Sequence, residues 1–156
     1  MMIRSFLPVG QGAFYCEQFM DDLKREWVNV VYDCGSSTNV KLVEEQIKNN
    51  FEKDEIIHAV FISHLDEDHI NGIPFLLKYC KVKKIFFPLL TEENAKYLRL
   101  YNLIKYNGRE SFTSLFARNP YEALNYLNIG YSPSLYQIRE TEESYSVIDV
   151  RGISSG

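Results

Sequence analysis

The chain has 156 residues, 46% of them hydrophobic, and a formal net charge of -4, which suits one globular domain with a core of ordinary size. The negative charge argues against broad nucleic-acid binding by bulk electrostatics, although a local basic patch is compatible with it. The sequence has neither a run of about 20 apolar residues nor a basic and then apolar leader, so we expect no membrane span and no signal peptide. Three widely spaced cysteines indicate reduced thiols and a cytoplasmic protein.

Strands dominate the first part of the predicted structure. Apolar runs predict strands over residues 2–9, 13–19 and 27–32, with the glycines at 10 and 12 marking a turn between the first two. Val40, Val43, Ile47 and Phe51 recur at helical spacing and predict an amphipathic helix. Residues 56–62 form a short continuous apolar run, which is typical of a buried central strand.

Helices are more frequent in the second part. The pattern predicts a helix over residues 70–80, a strand over 84–87, a helix over 91–107 capped by Thr91, two short helices over 110–118 and 121–129, and a last strand over 144–150. The basic residues at 81–84 are expected in a solvated loop. We therefore predict one α/β domain over residues 1–156, with a mixed sheet covered by helices.

Four metal-binding side chains follow the predicted central strand within six positions: His64, Asp66, Asp68 and His69. Strand ends at the carboxyl edge of a sheet are where α/β proteins usually place their sites. Two carboxylates can offset the charge of a divalent cation, and two imidazoles add nitrogen donors. With two ions close together, a bridging water would become acidic enough to attack a phosphoryl or carbonyl centre. The segment 63–69 is called the histidine-aspartate loop below.

This loop resembles the His-x-His-x-Asp-His signature of the metallo-β-lactamase superfamily, and Asp33-Cys34-Gly35 is similar to the Asp-x-Gly at the end of an earlier strand in that fold. Together with Val9-Gly10-Gln11-Gly12, the pattern is most similar to the hydrolase-like domain of bacterial competence (DNA-uptake) proteins and its stand-alone relatives. The agreement covers roughly the first 90 residues. It implies the N-terminal half of an αββα sandwich, because the later ligands of the family have no counterpart here.

The resemblance implies a metal-dependent hydrolase directed at a phosphodiester or nucleic acid. His64, Asp66, Asp68 and His69 would hold one or two divalent ions, zinc or manganese, since an aspartate at 66 in place of histidine favours a harder metal. Asp68 would orient or deprotonate the attacking water. Asp33 and Gly72 would support the site, the first through hydrogen bonds and the second by letting the backbone pass close to the loop.

Several alternatives stay open at this point. The chain could be a non-catalytic module that acts in assembly or ligand binding, as a homo-oligomer or with a chain that supplies the missing half. His58 is expected to be a hydrogen-bonded core residue rather than a ligand. The tyrosines and phenylalanines of residues 97–131 are expected to pack between helices, although nearby Lys96, Arg99 and Lys105 also suit a nucleic-acid face.

Overall fold

The computed structural model describes residues 1–140 and 145–149, and it shows a mixed α/β architecture. The nine strands are β1 Met2–Phe6, β2 Gly12–Asp21, β3 Glu26–Ser36, β4 Ile56–Ile57, β5 Ala59–Phe61, β6 Lys81–Val82, β7 Lys84–Pro88, β8 Ser134–Glu140 and β9 Tyr145–Asp149. The six helices are α1 Val40–Asn50, α2 Glu67–Ile70, α3 Ile73–Tyr79, α4 Glu92–Lys105, α5 Phe112–Arg118 and α6 Pro120–Leu127. This agrees with the predicted fold class.

Seven strands form one sheet in the order β1-β2-β3-β5-β7-β8-β9, and β4 and β6 form a separate parallel pair. The inner strands β3, β5, β7 and β8 run parallel, whereas β1, β2 and β9 are antiparallel to their neighbours. The carboxyl ends of β3, β5 and β7 therefore meet at one edge of the sheet. The histidine-aspartate loop leaves the sheet at this edge, directly after β5.

One face of the sheet is packed against helices. Val31, Val60, Ile85 and Leu135 occupy matching positions on four neighbouring strands and are fully or almost fully buried. They belong to the same core cluster as Val43 and Ile47 of α1, Leu76 and Leu77 of α3, and Phe116 of α5. Burial of these side chains supplies most of the favourable free energy of folding.

The opposite face carries a row of aromatic rings, tilted against each other on β1 to β3 and stacked on β3 to β8, which we call the aromatic ladder: Phe6, Tyr15, Tyr32, Phe61, Phe86 and Tyr136. Each ring belongs to a different strand from β1 to β8, and neighbouring centroids lie 4.6–5.4 Å apart. The alternation of side chains along a strand explains this, since the ladder members on β3, β5, β7 and β8 each follow a buried aliphatic residue.

Two predicted elements differ from the structure. The strand predicted over 56–62 is divided at His58, whose backbone N–H donates to the Asn29 carbonyl while Nδ1 accepts from the Asn29 N–H. Ile56–Ile57 consequently pairs with β6, and Ala59–Phe61 pairs with β3 and β7. The helix predicted over 70–80 is likewise two helices, because the Gly72 N–H donates to the Cys34 carbonyl between them.

The basic segment 81–84 was expected to be a solvated loop, and this expectation is wrong for its first half. Val82 is buried and lies in β6 beside Ile57, while the Val82 N–H donates to the Tyr131 hydroxyl. The flanking lysines remain exposed. Within the described residues no helix is long and apolar enough to cross a membrane.

Candidate metal centre

Asp33 links β3 to the histidine-aspartate loop. Its Oδ1 accepts a hydrogen bond of 2.7 Å from the Ser63 N–H, and its Oδ2 accepts one of 2.6 Å from the Ser63 hydroxyl. Asp33 has a φ of 53°, in the left-handed region where a residue other than glycine is uncommon. A buried carboxylate held in this conformation fixes where the loop leaves β5.

The same carboxylate orients His69. Asp33 Oδ2 lies 3.0 Å from Nδ1 of His69, and a carboxylate can only accept, so Nδ1 carries the proton. The second nitrogen, Nε2, lies 3.8 Å from Oδ2 of Asp68, which is too long for a hydrogen bond. In neutral His69 the lone pair is therefore on Nε2.

Ser63 imposes the same tautomer on His64. The Ser63 hydroxyl has a single proton, which it gives to Asp33, so its oxygen accepts from Nδ1 of His64 at 3.0 Å. Nδ1 of His69 also lies 3.3 Å from this oxygen. The two rings, whose centroids are 5.3 Å apart, thus both have the lone pair of their neutral form on Nε2, the atom that would bind a metal ion.

Backbone packing holds the loop against β2 and β3 at two glycines. A Cβ on Gly35 would lie 2.5 Å from the Asp68 carbonyl carbon, and one on Gly12 would lie 2.3 Å from the Gly35 carbonyl oxygen. These contacts leave no room for a side chain, so both positions need glycine for steric reasons. Gly12 and Gly35 bring the backbone of Asp68 close to two strands at once.

Asn71 and Gly72 attach the other end of the loop to the end of β3. Oδ1 of Asn71 accepts from the Ser36 N–H, and its Nδ2 donates to the Ser36 carbonyl. A Cβ on Gly72 would lie 2.4 Å from Cγ1 of Val43, so Gly72 lets the chain pass between β3 and α1. The histidine-aspartate loop is therefore bound to its scaffold on both sides.

The sequence-predicted site residues lie together at one edge of the sheet. His64, Asp66 and Asp68 line a cavity of about 640 Å³, whereas His69 and Asp33, which contact each other, are not among its lining residues. The acidic side of this cavity contains three carboxylates within three positions, at residues 66–68. Such a concentration of negative charge beside two imidazoles suits a cation.

The donor set fits a divalent metal ion in its chemistry, because two carboxylates and two Nε2 atoms are hard or borderline ligands for zinc or manganese. Across residues 1–140 and 145–149, however, no three His, Cys, Asp or Glu side chains converge on a common point. Binding therefore requires side-chain rotation within the loop. Asp149 is the last residue of β9, within the strand that the sequence predicts over residues 144–150.

The three cysteines take no part in this arrangement. All are free and buried, and burial raises the pKa of each thiol, that of Cys80 to about 12. They are neutral packing residues and poor metal ligands at neutral pH.

Sequence reasoning assigned no site role to Ser63, Asn71, Gly12 and Gly35, although both glycines belong to the motifs that carry the family resemblance. Ser63 directly precedes His64, and this adjacency could have predicted a hydrogen bond between the serine hydroxyl and the histidine ring. The role of the two glycines depends on the approach of β2 and β3 to Asp68, and spacing along the chain does not reveal that approach.

The family model described as "Metallo-beta-lactamase superfamily" matches residues 28–106, which is just over half of the chain. The protein belongs to the metallo-β-lactamase superfamily. The match includes Asp33, the whole histidine-aspartate loop and α4. No curated protein matches the chain.

The chain is similar to several solved structures, in each case at low identity. The chain is 18% identical to MEM-A1, a subclass B3 metallo-β-lactamase from a soil metagenome library, over 58% of this chain and 31% of that one, with a TM-score of 0.35. It is 23% identical to the chemotaxis sensor ODP, solved as a peroxy diiron species, over 62% of this chain and 36% of that one, with a TM-score of 0.37. It is 17% identical to a β-lactamase domain protein from Burkholderia ambifaria, over 76% of this chain and 37% of that one, with a TM-score of 0.38. The chain spans about a third of the length of each.

Proposed function

We propose that this chain is a metal-dependent hydrolase module in which His64, Asp66, Asp68 and His69 bind one or two divalent ions, zinc or manganese. The observation that supports it best is the hydrogen-bond network from Asp33 through Ser63. This network places the proton of both histidines on Nδ1, so that each neutral imidazole has its lone pair on Nε2.

A bound divalent ion would act as a Lewis acid and lower the pKa of a coordinated water molecule. The residues of this chain would hold and orient the reactants around it. Asp68 lies on the cavity wall beside His69 and would orient the attacking water or accept its proton. Asp33, which lies behind His69, would keep the imidazole in place.

The substrate that we propose is a phosphodiester, as in nucleic acid or a nucleotide. Support comes from the aspartate at 66 and the surrounding signature, which are similar to those of the competence-type branch. The superfamily match supports the hydrolase class, and the particular bond cleaved is our proposal.

The first experiment measures metal content and zinc and manganese affinity of the purified chain and of the His64→Ala/Asp68→Ala variant. The matched control is His58→Ala/Asp54→Ala, which removes the same residue types outside the loop. We expect stoichiometric metal in the wild type and the control, and its loss in the loop variant. Equal affinity in all three proteins would contradict the proposed site.

The second experiment measures hydrolysis of bis(p-nitrophenyl) phosphate by the metal-loaded chain. Turnover that disappears in the loop variant and persists in the control is the expected result. Metal binding without turnover of this or any nucleic-acid substrate would instead identify a non-catalytic metal-binding module.

A further inference from the structure

Helix α4 forms the wall of the cavity opposite the histidine-aspartate loop. Its residues at positions 94, 97, 98, 101, 102 and 105 all line the cavity. These positions are three or four apart and so share one face of the helix. The residues used below are called the α4 wall: Tyr97, Tyr101, Asn102 and Lys105.

Asn102 is the first observation that points to a ligand. It is only 1% exposed, and neither the nitrogen nor the oxygen of its carboxamide has a hydrogen-bond partner within residues 1–140 and 145–149. A buried, unpaired amide costs about 1–3 kcal/mol, so such a group needs an explanation. A ligand in the cavity that offers both a donor and an acceptor would satisfy it once the exposed wall side chains move aside.

The tyrosines of the wall are the second observation. Tyr97 and Tyr101 are 72% and 52% exposed although they line a cavity, and their positions are separated by one helical turn. Tyrosine rings with one free face suit stacking against a planar ring system.

Lys105 supplies the positive charge of the wall. Its ammonium lies 5.4 Å from the centroid of the Tyr106 ring. Glu67 of the loop lines the same cavity as Lys105. A cation that faces an acidic loop across a cavity suits an anionic group held between the two.

We propose that the α4 wall binds one nucleotide unit of the substrate. Tyr97 and Tyr101 stack on the base, the Asn102 carboxamide pairs with an edge of the base, and Lys105 contacts the phosphate beside the metal-binding loop. The role of this nucleotide as a substrate rests on the proposed phosphodiester hydrolase function. Binding of the nucleotide by the α4 wall does not require turnover.

Three probes separate the parts of the site: AMP, adenosine and ribose 5-phosphate, each measured by equilibrium dialysis. We expect adenosine to bind equally well with manganese and with a chelator, because the tyrosines and Asn102 need no metal. AMP is expected to bind more tightly than adenosine or ribose 5-phosphate when manganese is present. Competition by tetra-adenylate would indicate the end of a nucleic acid, and its failure a free nucleotide.

Variants assign the contacts. Tyr101→Ala is expected to weaken AMP and adenosine alike by roughly tenfold, as for loss of one stacked aromatic ring. Lys105→Ala is expected to weaken AMP by roughly fivefold and adenosine not at all. The matched controls are Tyr126→Ala on α6 and Lys96→Ala on the outer face of α4, neither of which lines the cavity.

Asn102→Leu tests the buried amide with a readout that a structural role would not give. Leucine has a similar shape and no polar atoms, so the variant is expected to unfold at a higher temperature while both adenosine and AMP bind more weakly. A lower unfolding temperature with unchanged adenosine binding would show that Asn102 is structural.

The proposal is overturned if the wild type binds neither adenosine nor AMP, or if the wall variants bind them as well as the controls do. These outcomes differ from failure of the proposed function. Absence of metal or of turnover, with adenosine binding that depends on Tyr101, would overturn the hydrolase and leave the nucleotide site in place.

Discussion

Oδ2 of Asp33 lies 3.0 Å from Nδ1 of His69, and this contact joins the end of β3 to the last residue of the histidine-aspartate loop. It decides the tautomer of His69, because an ionised carboxylate accepts and cannot donate. The same carboxylate holds Ser63, which decides the tautomer of His64.

Replacing Asp33 by asparagine should weaken metal binding by roughly 10–100-fold, the usual cost of losing a partner that orients a metal-binding histidine. The asparagine amide would donate to Nδ1 of His69 and drive its proton onto Nε2, which blocks the metal-binding lone pair. Asparagine tolerates the left-handed φ of 53°, so the fold should persist.

Asp54→Asn is the matched control, because Asp54 also has a left-handed φ, of 65°, and lies outside the loop in an ion pair with Lys81. Zinc and manganese titrations monitored by calorimetry provide the measurement. Equal affinities in the two variants would show that the carboxylate of Asp33 has no role in orienting His69.

Gly35→Ala should destabilise the fold and the loop together. The added Cβ would lie 2.5–2.7 Å from three backbone atoms of Asp68 and His69, none of which can move without moving the loop. We expect a loss of about 3 kcal/mol in the free energy of unfolding, the upper range for overpacking, together with weaker metal binding.

Gly130→Ala provides the comparison for this prediction. A Cβ at Gly130 has open space around it, so the cost of the substitution comes from the left-handed φ of 77°. We expect it to lower the free energy of unfolding by about 1 kcal/mol. Urea denaturation of both variants measures the difference. A smaller loss for Gly35→Ala than for Gly130→Ala would contradict the close packing of the loop on β3.

Phe61→Leu should lower the free energy of unfolding by about 2 kcal/mol, since the ring stacks on two neighbours of the aromatic ladder. Tyr32 lies on one side with a centroid distance of 5.2 Å and Phe86 on the other at 4.6 Å. Phe6→Leu changes the same residue type at the end of the ladder, where the side chain is 85% exposed, and should cost less than about 0.5 kcal/mol. Equal losses measured by urea denaturation would mean that stacking across the sheet contributes little.

Stability should fall below neutral pH through His58. Partial burial is the main cause that lowers the pKa of His58 below its ordinary value of 6.5, and the nearby Lys83 lowers it further. The unfolded chain then binds the proton more readily than the folded one, so the free energy of unfolding falls as the pH drops through about 6.5 and below. Unfolding curves at several pH values between neutral and moderately acidic conditions should show this slope.

His58→Gln should reduce that slope, because glutamine keeps an acceptor for the Asn29 N–H and does not titrate. The comparison is made with metal absent, so that metal binding does not contribute to the slope. A slope identical to that of the wild type would assign the pH dependence to other groups.

Much of the architecture follows from local patterns in the sequence. The helical spacing of Val43 and Ile47 predicts α1, and Thr91 and Gly108 mark the two ends of α4, with Thr91 accepting the Asn94 N–H as a cap. These features depend on contacts within a few residues, which is why they can be read from the chain alone. The position of the histidine-aspartate loop directly after a buried strand can be predicted for the same reason, since it also depends on local sequence.

What only the tertiary structure decided depends on contacts between distant segments. His58 interrupts the predicted central strand because its backbone N–H and its Nδ1 both form hydrogen bonds with the backbone of Asn29, which is distant in the sequence. Gly12 and Gly35 matter because β2 and β3 approach the backbone of Asp68, and Asn102 matters because α4 buries it beside the same loop. The sequence by itself determined which side chains could bind a metal, since that follows from residue type and local spacing. Their tautomers, and the wall that faces them, were decided by long-range packing and hydrogen bonding.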